Sequence, residues 1–322
     1  MKNKKLKIGV LFGGKSAEHE VSINSANNVI YALDKNKYQI FKIKIGKDGK
    51  FNLSSLKKMD VIFPVMHGPF GEDGSMQGLL KILNLPFVGP GVLGSAVGMD
   101  KDVMKRLFRE ASIPIGKFET IRAGEEFSFQ KLSKKLGLPM FVKPANLGSS
   151  IGIHKVKNEK EFLIGIKDAF LYDTKIVIEE NIKGREIECS LLGNENSTAS
   201  IPGEIISNAD FYSYDSKYLD DKSVCEIPAK LDKKTIKKIQ DMALKVFKVL
   251  NCEGMSRVDF FLKENGEVLV NEINTIPGFT AISMYPKMWE ASGMSLPKLL
   301  DKLISLAIER FKRDQKLKTT AK

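Results

Sequence analysis

The chain has 322 residues, 43% hydrophobic and 28% charged, with a formal net charge of +12. That length allows two or three domains with well-buried cores, and the composition is that of an ordinary globular protein. The positive charge does not mark a nucleic-acid binder: the lysines are scattered, aromatics are not interleaved with them, arginine is scarce, and no nucleic-acid-binding motif is present. We read it as solubility plus attraction for anions such as nucleotide.

Cys189, Cys225 and Cys252 are far apart, with no C-x-x-C pair, which argues for a reducing cytoplasmic compartment without structural disulfides. The apolar run behind the basic start, Ile8 to Phe12, is too short for a signal-peptide core. Nothing reaches membrane-spanning length, so no membrane partner is expected.

In chain order, Leu6 to Phe12 reads as a buried parallel strand, followed by Gly13-Gly14 and a helix over Glu20 to Leu33. Tyr38 to Ile45 and Val61 to Met66 read as strands, and Gln77 to Leu83 as helix. This alternation indicates an open α/β domain, where ligands gather at the carboxyl ends of strands. Two polar loops leave such ends, G-G-K-S-A-E-H-E-V-S (13–22) and H-G-P-F-G-E-D-G-S (67–75), with Glu18 and His67 as titratable candidates. Residues 9–16 also satisfy G-x-x-x-x-G-K-[ST], the phosphate-loop pattern. Val10, Leu11 and Phe12 continue the strand, however, so a strand-to-helix turn with a substrate-facing Glu18 is the preferred reading.

The Pro/Gly-rich stretch 85–92 is a first boundary, and Asp100 is placed to cap a helix over Lys101 to Ala111. A strand near Lys117–Thr120, a helix near Phe129–Leu136 and a strand within 139–145 follow. N-L-G-S-S-I-G (146–152) then returns as I-H-K-V, a hairpin with a loose tip suited to donating amides to phosphate and closing as a lid. Lys143 is either a snorkelling lysine or, with that tip beside it, a phosphate contact, the reading we favour. Lys175 to Glu179 is a strand whose terminal acid, with the backbone after it, suits an adenine edge; Glu186 and Glu188 share one face of the next strand. Residues 208–223 form a long, tyrosine-rich polar segment without periodicity, a length usually reserved for functional loops. The stripes of 235–250 and 296–311 are those of core-facing helices.

Arg257 to Gly278 carries the densest chemistry. Asn265-Gly266 is a strong two-residue hairpin signal. It would pair Glu264 with Glu267 and set Arg257 opposite Asn274 and Asp259 opposite Glu272, all four on one side. Val258, Phe260, Leu262, Leu269 and Ile273 would anchor the other side. Facing carboxylates destabilise a ladder, and a divalent cation resolves the conflict: two carboxylates and a carboxamide are hard oxygen ligands suited to Mg²⁺. Arg257 would then meet negative charge developing on a substrate. The alternative is a solvated face on which Arg257 merely neutralises acids, and a three-residue loop with a bulge would displace the register by one.

Taken in order, G-G-K-S-A-E-H-E-V-S, H-G-P-F-G-E-D-G, M-D-K, F-V-K-P-A-N-L-G-S-S-I-G, S-K-Y, R-V-D and N-E-I-N-T-I-P-G-F-T make the chain resemble the ATP-grasp ligases over nearly its whole length. More narrowly it resembles the D-alanine–D-alanine ligase family. The resemblance implies an α/β chain with an ATP-grasp fold preceded by an open parallel-sheet domain. Its expected divisions are 1–98, 99–182 with the phosphate lid, and 183–322 with the metal hairpin and substrate loop, with ATP between the last two. Lys101, Lys143, Lys217 and the Ser149–Ser150 lid would hold phosphates. Glu179, Glu180, the backbone at Ile182, and Glu186 would hold adenine and ribose; Glu180 departs from relatives that carry lysine there. Asp259, Glu272 and Asn274 would bind two Mg²⁺, with Mn²⁺ as a substitute. Glu18 would hold the first D-alanine's ammonium, with His67 close by. Arg257 and the Gly278 backbone would form the oxyanion site, and Ser283 with Met284 would take the second D-alanine. Tyr218, reaching Ser149 and Glu18, would favour dipeptide over D-alanyl-D-lactate. A cytoplasmic homodimer making a peptidoglycan precursor follows from the resemblance. Two other readings stay open: a related ligase such as one making D-alanyl-D-serine, and a nucleotide-binding regulatory module built on 9–16.

Overall fold

The structure, a computed structural model, describes residues 5–207, 223–318 and 320. It opens with β1 (Leu6–Gly13), α1 (His19–Ala32), β2 (Tyr38–Ile45), α2 (Leu53–Leu56), β3 (Val61–Pro64), α3 (Ser75–Ile82) and α4 (Val92–Met99). The three strands form a parallel sheet in the order β2-β1-β3. Ile8, Val10 and Leu11 have no exposed surface, so residues 9–13 are strand and not a phosphate cradle. β3 ends two residues early, at Pro64, which has no N–H to extend the ladder. The sequence reading passed over α4 because Gly94 and Gly98 weaken its helical signal. Both glycines sit at close approaches: a Cβ at Gly94 would lie 2.8 Å from the Asn251 carbonyl oxygen, and one at Gly98 2.6 Å from Thr275.

Next come α5 (Lys101–Glu110), β4 (Phe118–Arg122), α6 (Phe129–Leu136), β5 (Met140–Pro144), β6 (His154–Val156), α7 (Glu159–Ala169) and β7 (Lys175–Glu180). Asp100 caps α5 as expected, accepting from the amides of Asp102 and Val103 at 3.1 Å each. The strands form an antiparallel sheet, β4-β7-β5-β6, in which β5 and β6 flank the 146–152 tip. The rest comprises β8 (Arg185–Gly193), β9 (Thr198–Ala199), β10 (Gly203–Ser207), β11 (Ser223–Glu226), α8 (Lys233–Val249), β12 (Gly254–Leu262), β13 (Val268–Asn274), α9 (Met284–Ala291) and α10 (Leu296–Asp314). Their sheet runs β11-β10-β8-β12-β13, with β9 against β8. Lys217, Tyr218 and nearly all of the tyrosine-rich segment lie outside the described residues.

The last helix closes the molecule on its beginning. Leu299, Leu303 and Ile304 of α10 join Ile8, Val10 and Phe63 in one core. Arg310, buried near the end of α10, donates to the carbonyls of Phe87 (2.8 Å) and Gly89 and lies 4.5 Å from the Phe87 ring centroid. It thereby ties down the 85–92 stretch. All three cysteines are free, and among the described residues no helix is long and apolar enough to cross a membrane.

The β12–β13 hairpin corrects one expectation and preserves its consequence. The Lys263 amide donates to the Glu267 carbonyl at 2.9 Å, so three residues, Glu264 to Gly266, form the loop, and Glu264 does not pair with Glu267. From Leu262↔Val268 to Phe260↔Val270 the register is therefore one residue off the expected one. An irregularity between Asp259 and Phe260, with Asn271 as the unmatched residue, restores Asp259↔Glu272 and Arg257↔Asn274. Near the tip, Val268 and Val270 join the core facing β12, and Leu269 pairs with Phe261 outside that cluster. A β-bulge absorbs the extra loop residue, so the four polar side chains still share a face.

Candidate active site

Two contiguous cavities, of about 490 and 380 Å³, lie over the antiparallel sheets, and Lys101, Ser149, Glu186 and Glu272 line both. The larger one receives Lys143 from β5, Lys101 and Lys105 from α5, Glu179 and Glu180 from β7, Ile182, and the Ser149–Ser150 turn. Glu179 is its electrostatic centre. Lys143 donates to it at 2.7 Å and the Lys105 ammonium lies 3.1 Å away. Burial opposes ionisation of Glu179, but Lys105 and then Lys143 outweigh it and hold its pKa at about 2. Burial likewise works against the charge on Lys143, while Glu179 and Glu272 raise its pKa overall. Lys143 is thus a half-buried, paired cation facing a cavity, not a snorkelling surface lysine. Lys101 donates to the Leu147 carbonyl at the base of the lid (2.8 Å) and lies 3.5 Å from Glu272. Glu180 accepts the Lys117 amide at 2.7 Å, so its carboxylate secures β7 against the chain before β4.

The smaller cavity gathers Glu18, His67, Arg257, Asp259, Glu272, Asn274, Gly278, Ser283 and Met284. Ser149, from the lid, donates its hydroxyl to Glu18 across 131 residues of sequence. Ser149 and Ser150 both have positive φ, +54° and +60°, a conformation that L-residues adopt at some cost. His67 is held between the Ile276 carbonyl (Nδ1, 3.1 Å) and the Ser25 hydroxyl (Nε2, 3.3 Å), with Glu72 3.9 Å from Nδ1. Burial alone would lower the His67 pKa; Glu72, and then Glu18, reverse this and raise it. Arg257 grips Asp259 through two bonds of 2.7 Å and lies 3.0 Å from Glu188. Burial disfavours its charge, but Asp259 and Glu188 raise its pKa well above the ordinary value. At Gly278 a Cβ would lie 2.7 Å from Ser283 Oγ, so any larger residue would displace the Ser283 hydroxyl.

The family described as D-ala D-ala ligase C-terminus matches residues 107–305, and D-ala D-ala ligase N-terminus matches 7–57 and 51–90. The chain belongs to the D-alanine–D-alanine ligase family. The D-alanine–D-alanine ligase of Oceanobacillus iheyensis is 48% identical over an alignment of 361 residues, covering 98% of this chain and 99% of the relative. The solved D-alanine–D-alanine ligase of Coxiella burnetii superposes with a TM-score of 0.88 at 42% identity, covering 97% of this chain and 96% of that one. The Bacillus anthracis ligase, solved in complex with ATP, gives 0.83 at 32% identity, covering 96% and 99%. The fold class is therefore the expected one, an ATP-grasp ligase fold behind an open parallel sheet.

The chain's residues fit the divalent cations that the family resemblance implies. Asn274 Oδ1 is shielded from solvent and has no hydrogen-bond partner among the described residues, the signature of an acceptor awaiting a ligand. It shares the hairpin face with the opposed carboxylates of Asp259 and Glu272. Among the described residues no group of three or more His, Cys, Asp or Glu side chains is arranged to hold a metal. A cation here would use the two carboxylates and the carboxamide and complete its shell with water and phosphate oxygens, the habit of Mg²⁺.

Several residues of the site escaped the sequence reading. Lys105 sits one helical turn beyond Lys101, where it passes for part of a capped, amphipathic helix. Besides approaching Glu179 it donates to the carbonyl of the unmatched Asn271 at 3.4 Å. Glu72 lies inside a loop already singled out, yet only the fold puts it behind His67. Lys175 binds Asp100 at 2.7 and 2.5 Å and lies 3.3 Å from Asp102, locking the start of α5 to β7. For Lys105 the available signal was its i,i+4 spacing from Lys101, which puts both on one helix face.

Proposed function

We propose that this chain joins two molecules of D-alanine into D-alanyl-D-alanine, converting ATP to ADP and phosphate. The observation that carries this reading is the junction of the two cavities, where Ser149, from the glycine- and serine-rich tip, reaches Glu18. In the larger cavity Lys101 and Lys143 meet the phosphates; the family resemblance assigns Lys217 to them as well. Glu179, Glu180, the backbone at Ile182, and Glu186 surround adenine and ribose. In the smaller one Glu18 receives the first D-alanine's ammonium, with His67 beside it. Ser283 and Met284, at the start of α9, seat the second D-alanine.

The first carboxylate attacks the γ-phosphate, giving an acyl phosphate and ADP. The amine of the second D-alanine then attacks the acyl carbonyl, and the tetrahedral intermediate expels phosphate. Arg257 and the Gly278 amide stabilise its oxyanion, and the lid over Ser149 and Ser150 keeps water from the acyl phosphate. Asp259, Glu272 and Asn274 would hold two Mg²⁺, which supply charge neutralisation during phosphoryl transfer. Tyr218, as the family resemblance implies, favours dipeptide synthesis. We place the protein in the cytoplasm as a homodimer, divided near residues 98 and 182, on the strength of its family.

The test is release of ADP and phosphate from ATP and Mg²⁺ with D-alanine, L-alanine, D-serine and D-lactate, each alone and paired with D-alanine. One dipeptide per phosphate from D-alanine alone is the expected result. Turnover only with a mixed pair would replace the second substrate. Nucleotide binding without turnover would favour a regulatory module.

A further inference from the structure

We infer that Ser25 and Asn28, on one face of α1, are positioning residues that set the loop carrying the oxyanion amide. The stretch Ile276–Phe279 contains Gly278 and is held at three backbone atoms by side chains from the first quarter of the chain. The Phe279 amide donates to Ser25 Oγ at 3.2 Å, and Asn28 Nδ2 donates to the Phe279 carbonyl at 2.7 Å. His67 Nδ1 lies 3.1 Å from the Ile276 carbonyl. Residues three apart lie on one face of a helix, so α1 grips both polar groups of a single peptide residue.

The protons are consistent. Nδ1 of His67 faces a carbonyl and must carry hydrogen. Ser25 accepts from the Phe279 amide and also bonds His67 Nε2 at 3.3 Å, as donor to the neutral ring or acceptor from the protonated one. Both ring nitrogens are then engaged, which makes His67 a brace for the same loop. Ser25 and Phe279 have no exposed surface, and the Phe279 ring packs edge-on against Phe63 and Tyr285, with centroids 5.8 and 5.6 Å apart. Packing fixes the side chain of Phe279 and hydrogen bonds fix its backbone, so the preceding Gly278 peptide has little freedom. An oxyanion donor acts through such preorganisation, and a misplacement of about 1 Å can cost about 100-fold in rate.

This rests on the Gly278 role proposed above, and the experiment separates the two. Ser25→Ala, Asn28→Ala and Ser25→Thr are compared with the parent for ATP affinity, D-alanine-dependent phosphate release, dipeptide formation, and hydrogen exchange at the Phe279 amide. In both alanine variants ATP affinity should stay within about twofold, while dipeptide formation falls about 10- to 100-fold. Acyl phosphate not captured by the second amine is hydrolysed to D-alanine and phosphate, so dipeptide per phosphate should drop from one to below about one half. Ser25→Thr keeps the acceptor oxygen and should restore the ratio. A ratio that stays at one while both products decline together would overturn the inference, since a merely structural role predicts that. If the parent itself makes no dipeptide, the functional reading fails, and exchange still decides the grip. Exchange at Phe279 should quicken at least about tenfold in Ser25→Ala; an unchanged rate refutes it.

Discussion

The two cavities share a wall yet hold their polar groups in opposite ways. In the larger cavity, proposed for the nucleotide, the charges are side chains: Lys105 and Lys143 flank Glu179, and Lys101 reaches Glu272. In the smaller cavity the group proposed for the oxyanion is a backbone amide at Gly278, in a loop tied to side chains from α1 and the 67–75 loop. A permanent polyanion can be met by fixed charges of matching sign. A transient oxyanion needs a donor aimed at a point, and aiming requires distant parts of the chain to converge.

The largest effect should come from removing a charge. Lys143→Met should lower kcat/KM about 100- to 1,000-fold through lost contact with the phosphates, measured by coupled ADP release. It should leave the fold intact, because Lys105 still neutralises Glu179. A loss confined to the D-alanine KM would erase the distinction between the cavities.

The second prediction concerns acid. The Glu179 pKa lies below its ordinary value, at about 2, so its ionised pairing stabilises the native state above about pH 4.5. That contribution, on the order of 3 kcal/mol, should be lost as pH falls towards 2. Urea titrations of the parent and of Glu179→Gln between pH 5 and pH 2 should converge at the acid end. Curves that run parallel would contradict the pairing.

The smallest effect should come from the backbone site. Gly278→Ala puts a Cβ 2.7 Å from Ser283 Oγ, an atom at the end of a short side chain that can rotate. Dipeptide formation should fall about 10- to 100-fold with nucleotide affinity unchanged. A matching loss of ATP binding would show that the two cavities respond as one.

Much of this was legible beforehand because the signals were local. The Ile8 to Phe12 run, the Asp100 cap, the 146–152 tip and the Lys143 strand depend on residues within a few positions of one another, and the motifs kept their order. The hairpin was right at its root for an incomplete reason. Asn265-Gly266 suggested a two-residue loop, whereas the structure has three residues and an unmatched Asn271 that cancels the shift. At the root the bulge kept the side chains on the faces the pattern specified; near the tip the longer loop turned Val268 and Val270, not Leu269, into the core.

By itself, then, the sequence determined the family, the fold class and the face that carries Arg257, Asp259, Glu272 and Asn274. Periodicity and residue type act over a few ångströms along one strand or helix. Tertiary structure alone decided that Ser149 meets Glu18, that Glu72 stands behind His67, and that α1 grips Phe279. The first and last of these join residues far apart in sequence, and Glu72 and His67, though in one loop, meet only through the way that loop folds. No local pattern marks them.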